Sequence, residues 1–304
     1  MNKTIVYHPD DFSNLMSPFL ENTWHNFFKL ETFDSSKNYN VSQHIFWSSH
    51  LFDTTWYEEF HKNGHKVIID QLFISNTVDT VDAKDNILNL CCKNWAWYNT
   101  SLWFQFEGYR DYIPNKNTKH SFLMLIAKQK DFRDRLFDKI DLTNSLYSYL
   151  ERNITIANDT EHIGGWKVYF NPEWYDSTQF SIVCENSIQP PLLISEKTFK
   201  PIAHYHPYIV WGAPGTLSYL KKLGFESFSH VIDETYDVTF DNNSRLDLIC
   251  EQIKVLNENY QEIFHDKLTK EILEHNNNLF YNESVVNENF KKEIIDPVLH
   301  FIEN

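Results

Sequence analysis

The 304-residue chain has only 7 glycines, and its 27 Lys and Arg stand against 42 Asp and Glu. No stretch of it approaches the roughly 18 apolar residues that a membrane span requires. A net charge of −15 repels DNA, RNA and anionic lipid on average, which argues against broad nucleic-acid binding and leaves room for a local basic pocket. The four cysteines, Cys91, Cys92, Cys184 and Cys250, form no C-x-x-C pair, so neither a redox dithiol nor a zinc knuckle is indicated, and free thiols in apolar runs are expected. The opening residues "MNKTIVYHPDDF" lack a basic segment followed by an apolar stretch and a small-residue cleavage site, so no secretion and a reduced, cytoplasmic setting are expected. There is no G-x-x-x-x-G-K-[ST], no G-x-G-x-x-G and no G-x-S-x-G, which removes the P-loop, dinucleotide and nucleophile-elbow fingerprints.

What is present is a globular composition, 42% hydrophobic and 16% aromatic, with a length sufficient for two ordinary domains. Short apolar runs alternate with helical patterns: "KTIVYHP", "HIFWSSH", "HKVIIDQLF" and "NILNLCC" read as strands, with a helix opened by Asp53 and closed by Gly64. Polar residues and a proline in "YIPNKNTKH" mark a boundary, after which "SFLMLIA", "NITIAND", "FSIVCENS" and "YIVWG" read as a second set of strands. From about residue 244 the pattern is helical. An α/β chain is expected, with domains over 1–117 and 118–283 and a C-terminal helix over 284–304 packing back on the first.

Two stretches carry chemistry. In "ENSIQPPLLISEKTFKPIA", Glu185 and Asn186 follow an apolar strand, and Ser195 caps a helix whose first turn holds Glu196 and Lys197. A phosphate placed there meets free backbone N–H groups, the helix dipole and an ammonium, and the Glu196 carboxylate can accept both hydroxyls of a ribose. Pro201 sits too deep for a first-turn proline, so the helix is kinked or begins after Ser195. In "FLMLIAKQKDFRDRLFDKI", Lys128, Lys130, Arg133 and Arg135 lie at a helix start, where cations oppose the dipole unless an anion is bound. Arg133 is a candidate for a bidentate grip on a pyrophosphate. His204 and His206 form an H-x-H read as a pair of cleft or surface histidines, since no third metal ligand accompanies them. Most of Trp95, Trp97, Trp103, Phe104, Phe106 and Tyr109 are expected in the core, with one or two touching an acceptor.

Together, "FSIVCENS…ISEKTFKPI" and "FLMLIAKQKDFR" resemble the donor-binding segments of the α1,3-fucosyltransferase-type glycosyltransferases. The blocks "PYIVWGAPGTLSYLKKLGFESF" and "IDETYD" are similar to uncharacterised relatives, some from phages and large viruses. The resemblance covers about residues 120–250. It implies a GT-B fold, two Rossmann-like domains facing across a cleft with the donor on the C-terminal one and a helical C-terminus. It further implies that Arg133 and Lys197 meet the donor diphosphate, that Glu196 meets the ribose, and that Glu185 and Asn186 meet the sugar or phosphate side; Lys128 and Ser195 are further donor-site candidates. The chain departs from the family at Ile194, where an aromatic is usual, so GDP-fucose itself is not implied. No D-x-D occurs, so no cofactor or bridging metal is expected. The expected activity is an inverting transfer of a hexosyl or pentosyl group from a nucleotide sugar to a hydroxyl, of a glycan or of a hydroxymethylated DNA base. A phage-encoded chain would work in the host cytoplasm. The resemblance puts the catalytic base in the first domain, where Asp10 and Asp11 beside His8 are the candidates. A non-catalytic binding protein on the same fold is the competing expectation.

Overall fold

Continuous β-branched and aromatic runs such as Ile45-Phe46-Trp47 have no polar face to offer water, so they demand cover on both sides, as strands of parallel sheets do. The computed structural model, which describes residues 4–7, 29–41, 43–49, 60–70, 86–90, 94–156, 171–264 and 267–303, has two such sheets. The chain divides into two compact units, Met1–Glu107 together with Glu283–Asn304, and Gly108–Asn282.

The first unit holds β1 (Thr4–Tyr7), β2 (Lys29–Thr32), β3 (His44–Ser49), β4 (Lys66–Asp70) and β5 (Ile87–Leu90) in the order β2-β1-β3-β4-β5, all parallel. Val6, Phe46, Val67 and Ile87 form its buried centre, with Phe33, Tyr39 and Phe60 packed against it. Helix α1 (Trp95–Phe106) buries Trp95, Trp97, Tyr98, Leu102 and Phe104, so these aromatics are core. The C-terminal segment belongs to this unit. Glu293 accepts from Tyr98 Oη at 2.8 Å and Asn94 Nδ2 at 3.2 Å, and Lys66 Nζ donates to the Phe301 carbonyl at 2.6 Å. The start of the helix expected at Asp53 lies outside the described residues. Residues 60–62 are helical, and Gly64 turns left-handed at φ 84°.

The second unit holds β6 (His120–Ile126), β7 (Leu146–Tyr149), β8 (Thr178–Cys184) and β9 (Tyr208–Trp211) in the parallel order β7-β6-β8-β9. Its helices are α2 (Asp131–Phe137), α3 (Pro172–Ser177), α4 (Glu196–Ala203), α5 (Thr216–Lys222), α6 (Thr235–Val238), α7 (Asn242–Phe264) and α8 (Lys267–Phe280). In the first unit, α9 (Glu283–Phe290), a π-helical turn over Lys291–Ile295 and α10 (Asp296–Glu303) close the chain. Two parallel α/β sheets and a helical C-terminus are thus the architecture.

Two expectations are corrected. The strand expected in "NITIAND" is absent from its described part. Asn153 adopts φ 59° and only Ile154 makes an isolated bridge to Tyr149, so the strand lies earlier, at β7. The strand β2 was not expected at all, because "KLET" is a short edge strand with two charges in four residues.

The H-x-H pair is also relocated. His204 ends α4 and Tyr205 takes φ 51°, so the two rings do not share a strand face, and both are fully buried. The His204 ring packs among Tyr109, Tyr112 and Tyr175, with centroids 6.4, 5.7 and 4.9 Å away. His206 Nε2 donates to the Thr178 carbonyl at 3.1 Å and Nδ1 accepts from Ser181 Oγ at 2.7 Å.

Burial holds both imidazoles well below the usual histidine range, with Lys116 adding repulsion to both and Lys200 to His204. The unfolded chain therefore binds more protons, and stability falls as pH drops below about 6.5, by about 1.4 kcal/mol per pH unit for each histidine. Carboxylates with lowered pKa lose their contribution only below about 4.5, which leaves a window between the two. Urea titrations of wild type and His204→Phe across that window should show a shallower pH slope for the variant. Equal slopes would refute the assignment.

Candidate functional site

Helices wind from β6 to β7 in one direction and from β8 to β9 in the other, so the order reverses between β6 and β8. A crevice opens at such a reversal, outside the carboxyl ends of the two strands. The loops that leave those ends, 127–130 and 185–195, are the two stretches singled out in the sequence.

Arg133 joins them. It is 2% exposed, and its guanidinium donates to the carbonyls of Lys128 (2.9 Å), Cys184 (3.2 Å) and Glu185 (2.7 Å) and to Asn186 Oδ1 (3.2 Å). Its Nε has no hydrogen-bond partner among the described residues. The terminal nitrogens are thus turned inward, and the charge lies beneath the crevice instead of reaching out as a bidentate fork. The Lys130 ammonium donates to the Asn186 carbonyl at 2.6 Å. Burial, then the Arg133 and Lys197 charges, pushes its pKa down.

The helix α4 begins where Ser195, its N-cap, accepts from Lys197 N. Pro201 is accommodated inside the helix, which nonetheless starts at Glu196 and is not delayed. Glu185 is fully buried and holds this helix start in place. Its carboxylate accepts from Ser195 N (3.0 Å), Ser195 Oγ (2.6 Å), Thr198 Oγ1 (2.6 Å) and Asn186 N (3.3 Å). Such a carboxylate is spent inside the chain. Glu196 instead keeps 31% of its side chain exposed, and one oxygen accepts from Lys197 Nζ at 2.8 Å. Burial opposes its ionisation, but the Lys197 and Lys200 ammoniums outweigh that and hold the carboxyl at about 2. Lys197 is partly buried; desolvation disfavours its charge, and Glu196 and Glu185 more than restore it, raising its pKa.

Lys128 is turned elsewhere: its exposed ammonium pairs with Glu151 at 2.9 Å, and only its carbonyl reaches Arg133. Asp10 and Asp11 lie outside the described residues. No group of three or more His, Cys, Asp or Glu that could hold a metal occurs among the described residues, and no described helix is long and apolar enough to cross a membrane.

Comparison with known proteins gives one likeness of fold. A solved structure of the DNA-modifying enzyme β-glucosyltransferase, determined with and without its substrate uridine diphosphoglucose, aligns over 99% of this chain and 100% of its own, with a TM-score of 0.47 and 8% identity. No protein-family model and no curated protein matches the chain.

The neighbouring helix start is closed to ligands. Asp237, 3% exposed, accepts from Leu217 N (2.9 Å), Ser218 N (3.0 Å) and Ser218 Oγ (2.9 Å) at the first turn of α5. A carboxylate of the chain thus occupies the anion seat there, whereas at α4 the Glu185 carboxylate takes Ser195 N and Thr198 Oγ1 and leaves the Lys197 N–H to the neutral Ser195 Oγ. Neither Asp237 nor the inward direction of Glu185 leaves a signal in the sequence beyond the acid itself.

Gly212 marks how closely the elements approach. A Cβ there would stand 3.2 Å from Glu185 Cγ, Thr216 Oγ1 and Val210 Cγ1. Gly212→Ala should therefore destabilise the second unit by about 1–3 kcal/mol, read from urea unfolding, because three buried neighbours must give way together.

Proposed function

We propose that the chain is a glycosyltransferase that binds a nucleoside-diphosphate sugar at the carboxyl edge of the second sheet and transfers the sugar to a hydroxyl. The carrying observation is the gathering of Lys130, Arg133 and Lys197 at one strand-end crevice, where Lys130 and Arg133 both reach Asn186 and the like charges repel one another, in a chain of net charge −15. A diphosphate seated there relieves that repulsion. The Lys197 ammonium meets it at the first turn of α4, Arg133 supplies charge from beneath, Asn186 flanks it, and Glu196 accepts the ribose hydroxyls. In this reading the acceptor oxygen attacks the anomeric carbon with inversion, and the bond from that carbon to the diphosphate oxygen breaks. A carboxylate takes the acceptor proton, with Asp10 and Asp11 as candidates. Lys197 and Arg133 stabilise the leaving diphosphate without a bridging metal.

The test is a thermal-shift panel of GDP, UDP, ADP, CDP and their sugar conjugates, with and without magnesium, on wild type and Lys197→Ala. A nucleotide at a hundred times its dissociation constant stabilises the folded state by about 2.7 kcal/mol, and the variant should lose that shift while remaining folded. No shift with any nucleotide, or equal shifts in both proteins, would overturn the reading. The acidic surface favours a glycan acceptor over a DNA base. Binding of a hydroxymethylated duplex that weakens steeply from low to physiological salt would reverse that preference.

A further inference from the structure

Arg245, on the first turn of α7, carries no motif, yet it is 1% exposed and tied to the same strand edge. Its guanidinium donates to the carbonyls of Gly212 (2.5 Å), Tyr236 (3.1 Å) and Ile188 (3.4 Å) and to Asn242 Oδ1 (3.4 Å). Gly212 follows β9, Ile188 lies in the loop between β8 and α4, and Tyr236 belongs to α6. Three separate segments are therefore held by one planar fork.

The linkage continues to Arg133. The Arg245 guanidinium lies over the Trp211 ring, 5.1 Å from its centroid, and Trp211 Nε1 donates to the carbonyl of Phe132 at 3.0 Å. Phe132 precedes Arg133, whose own fork holds Lys128, Cys184 and Glu185. The two arginines thus clamp, through backbone carbonyls, every loop that leaves the carboxyl ends of β6, β8 and β9. Neither guanidinium has a carboxylate among its hydrogen-bond acceptors within the described residues, and the Asp237 carboxylate near Arg245 is spent on α5.

A buried cation of this kind is an expensive way to fill a core, since apolar residues of similar volume do it at lower cost. The fork gives something an apolar side chain does not, a fixed spacing among the three segments whose carbonyls it holds. We infer that Arg245 is a positioning residue of the donor site, which sets the loop 185–195, and with it Asn186 and the first turn of α4, in the register the diphosphate requires. This rests on the glycosyltransferase reading for its ligand and not for its geometry.

The experiment compares wild type, Arg245→Lys and Arg245→Met, as full chains at a temperature where each is folded. Hydrogen exchange without ligand reads the latch, and binding of GDP, UDP, ADP, CDP and inorganic pyrophosphate reads its consequence. Lysine keeps the charge and loses the fork, so both variants should lose amide protection across 186–197 and 212–216. Both should bind the preferred nucleoside diphosphate about tenfold more weakly or worse, because an ångström of misplacement can cost a hundredfold. Unchanged protection overturns the inference whatever the ligands do. Lost protection with wild-type affinity in the folded variants reduces Arg245 to a stability role and overturns it as well. Lost protection in a protein whose wild type binds none of the five ligands leaves the latch standing and overturns the proposed function instead. Should Arg245→Met fail to fold, Arg245→Lys decides.

Discussion

Glu185→Ala is expected to destabilise the second unit by about 3–5 kcal/mol, the range for removing one member of a buried charged network. The carboxylate takes four donors from Ser195, Thr198 and Asn186, and the three from the buried Ser195 and Thr198 have no water to turn to when it is removed. The first turn of α4 then loses the anchor of its N-cap, and Lys197 loses one of the two carboxylates that keep it charged. Nucleotide binding should fall with the fold. Urea unfolding monitored by tryptophan fluorescence supplies the number.

Glu185→Gln separates positioning from direct contact. The amide retains the shape and one acceptor oxygen, so the helix start survives in part, while one negative charge leaves the proposed anion site. If Glu185 only positions, pyrophosphate should bind the folded glutamine variant at least as well as wild type at low salt. If it touches the donor sugar, binding of the sugar nucleotide should weaken while binding of pyrophosphate does not. A loss of pyrophosphate binding in a fully folded Glu185→Gln would contradict the positioning role.

The strands were legible wherever burial on both faces forced an unbroken apolar run, as in "FLMLI" and "FSIVC", because nothing but a covered sheet satisfies such a sequence. They were not legible where an edge strand is half solvated, as in "KLET", or where aromatic and polar residues alternate, as in "LYSY" of β7. In the site, the charged residues themselves were visible because Glu185-Asn186 and Glu196-Lys197 stand where a strand hands over to a helix. Direction was not visible. A one-dimensional pattern cannot tell that Glu185 and Arg133 turn inward while Glu196 stays partly in water, since that depends on Ser195, Thr198 and the carbonyls of β8 arriving from elsewhere. Arg245 escaped notice for the same reason. It lies 112 positions beyond Arg133 on a helix with an ordinary solvated face, and only the packing of α7 over β9 brings its fork to Gly212.

Arg133→Met should have the largest effect on binding. The substitution keeps much of the side-chain volume and removes four hydrogen bonds along with the charge that lies between the loops of β6 and β8. Loss of fold is expected to be the smaller part, about 2–4 kcal/mol, because the carbonyls of Cys184 and Glu185 stay at a strand end that water can reach once the loop relaxes. The loss of diphosphate affinity is expected to exceed a hundredfold, about 2.7 kcal/mol or more, since a guanidinium in a poorly solvated crevice acts on an anion at low effective dielectric. Titration calorimetry at two salt concentrations tests this. The wild type should bind more weakly at high salt, and the variant should show a flatter dependence because one fixed cation has gone. Arg133→Lys returns the charge without the fork, so recovery of affinity in that variant would mean that charge alone suffices. Continued weakness would mean that the Arg133 grip on the Cys184 and Glu185 carbonyls sets the shape of the seat.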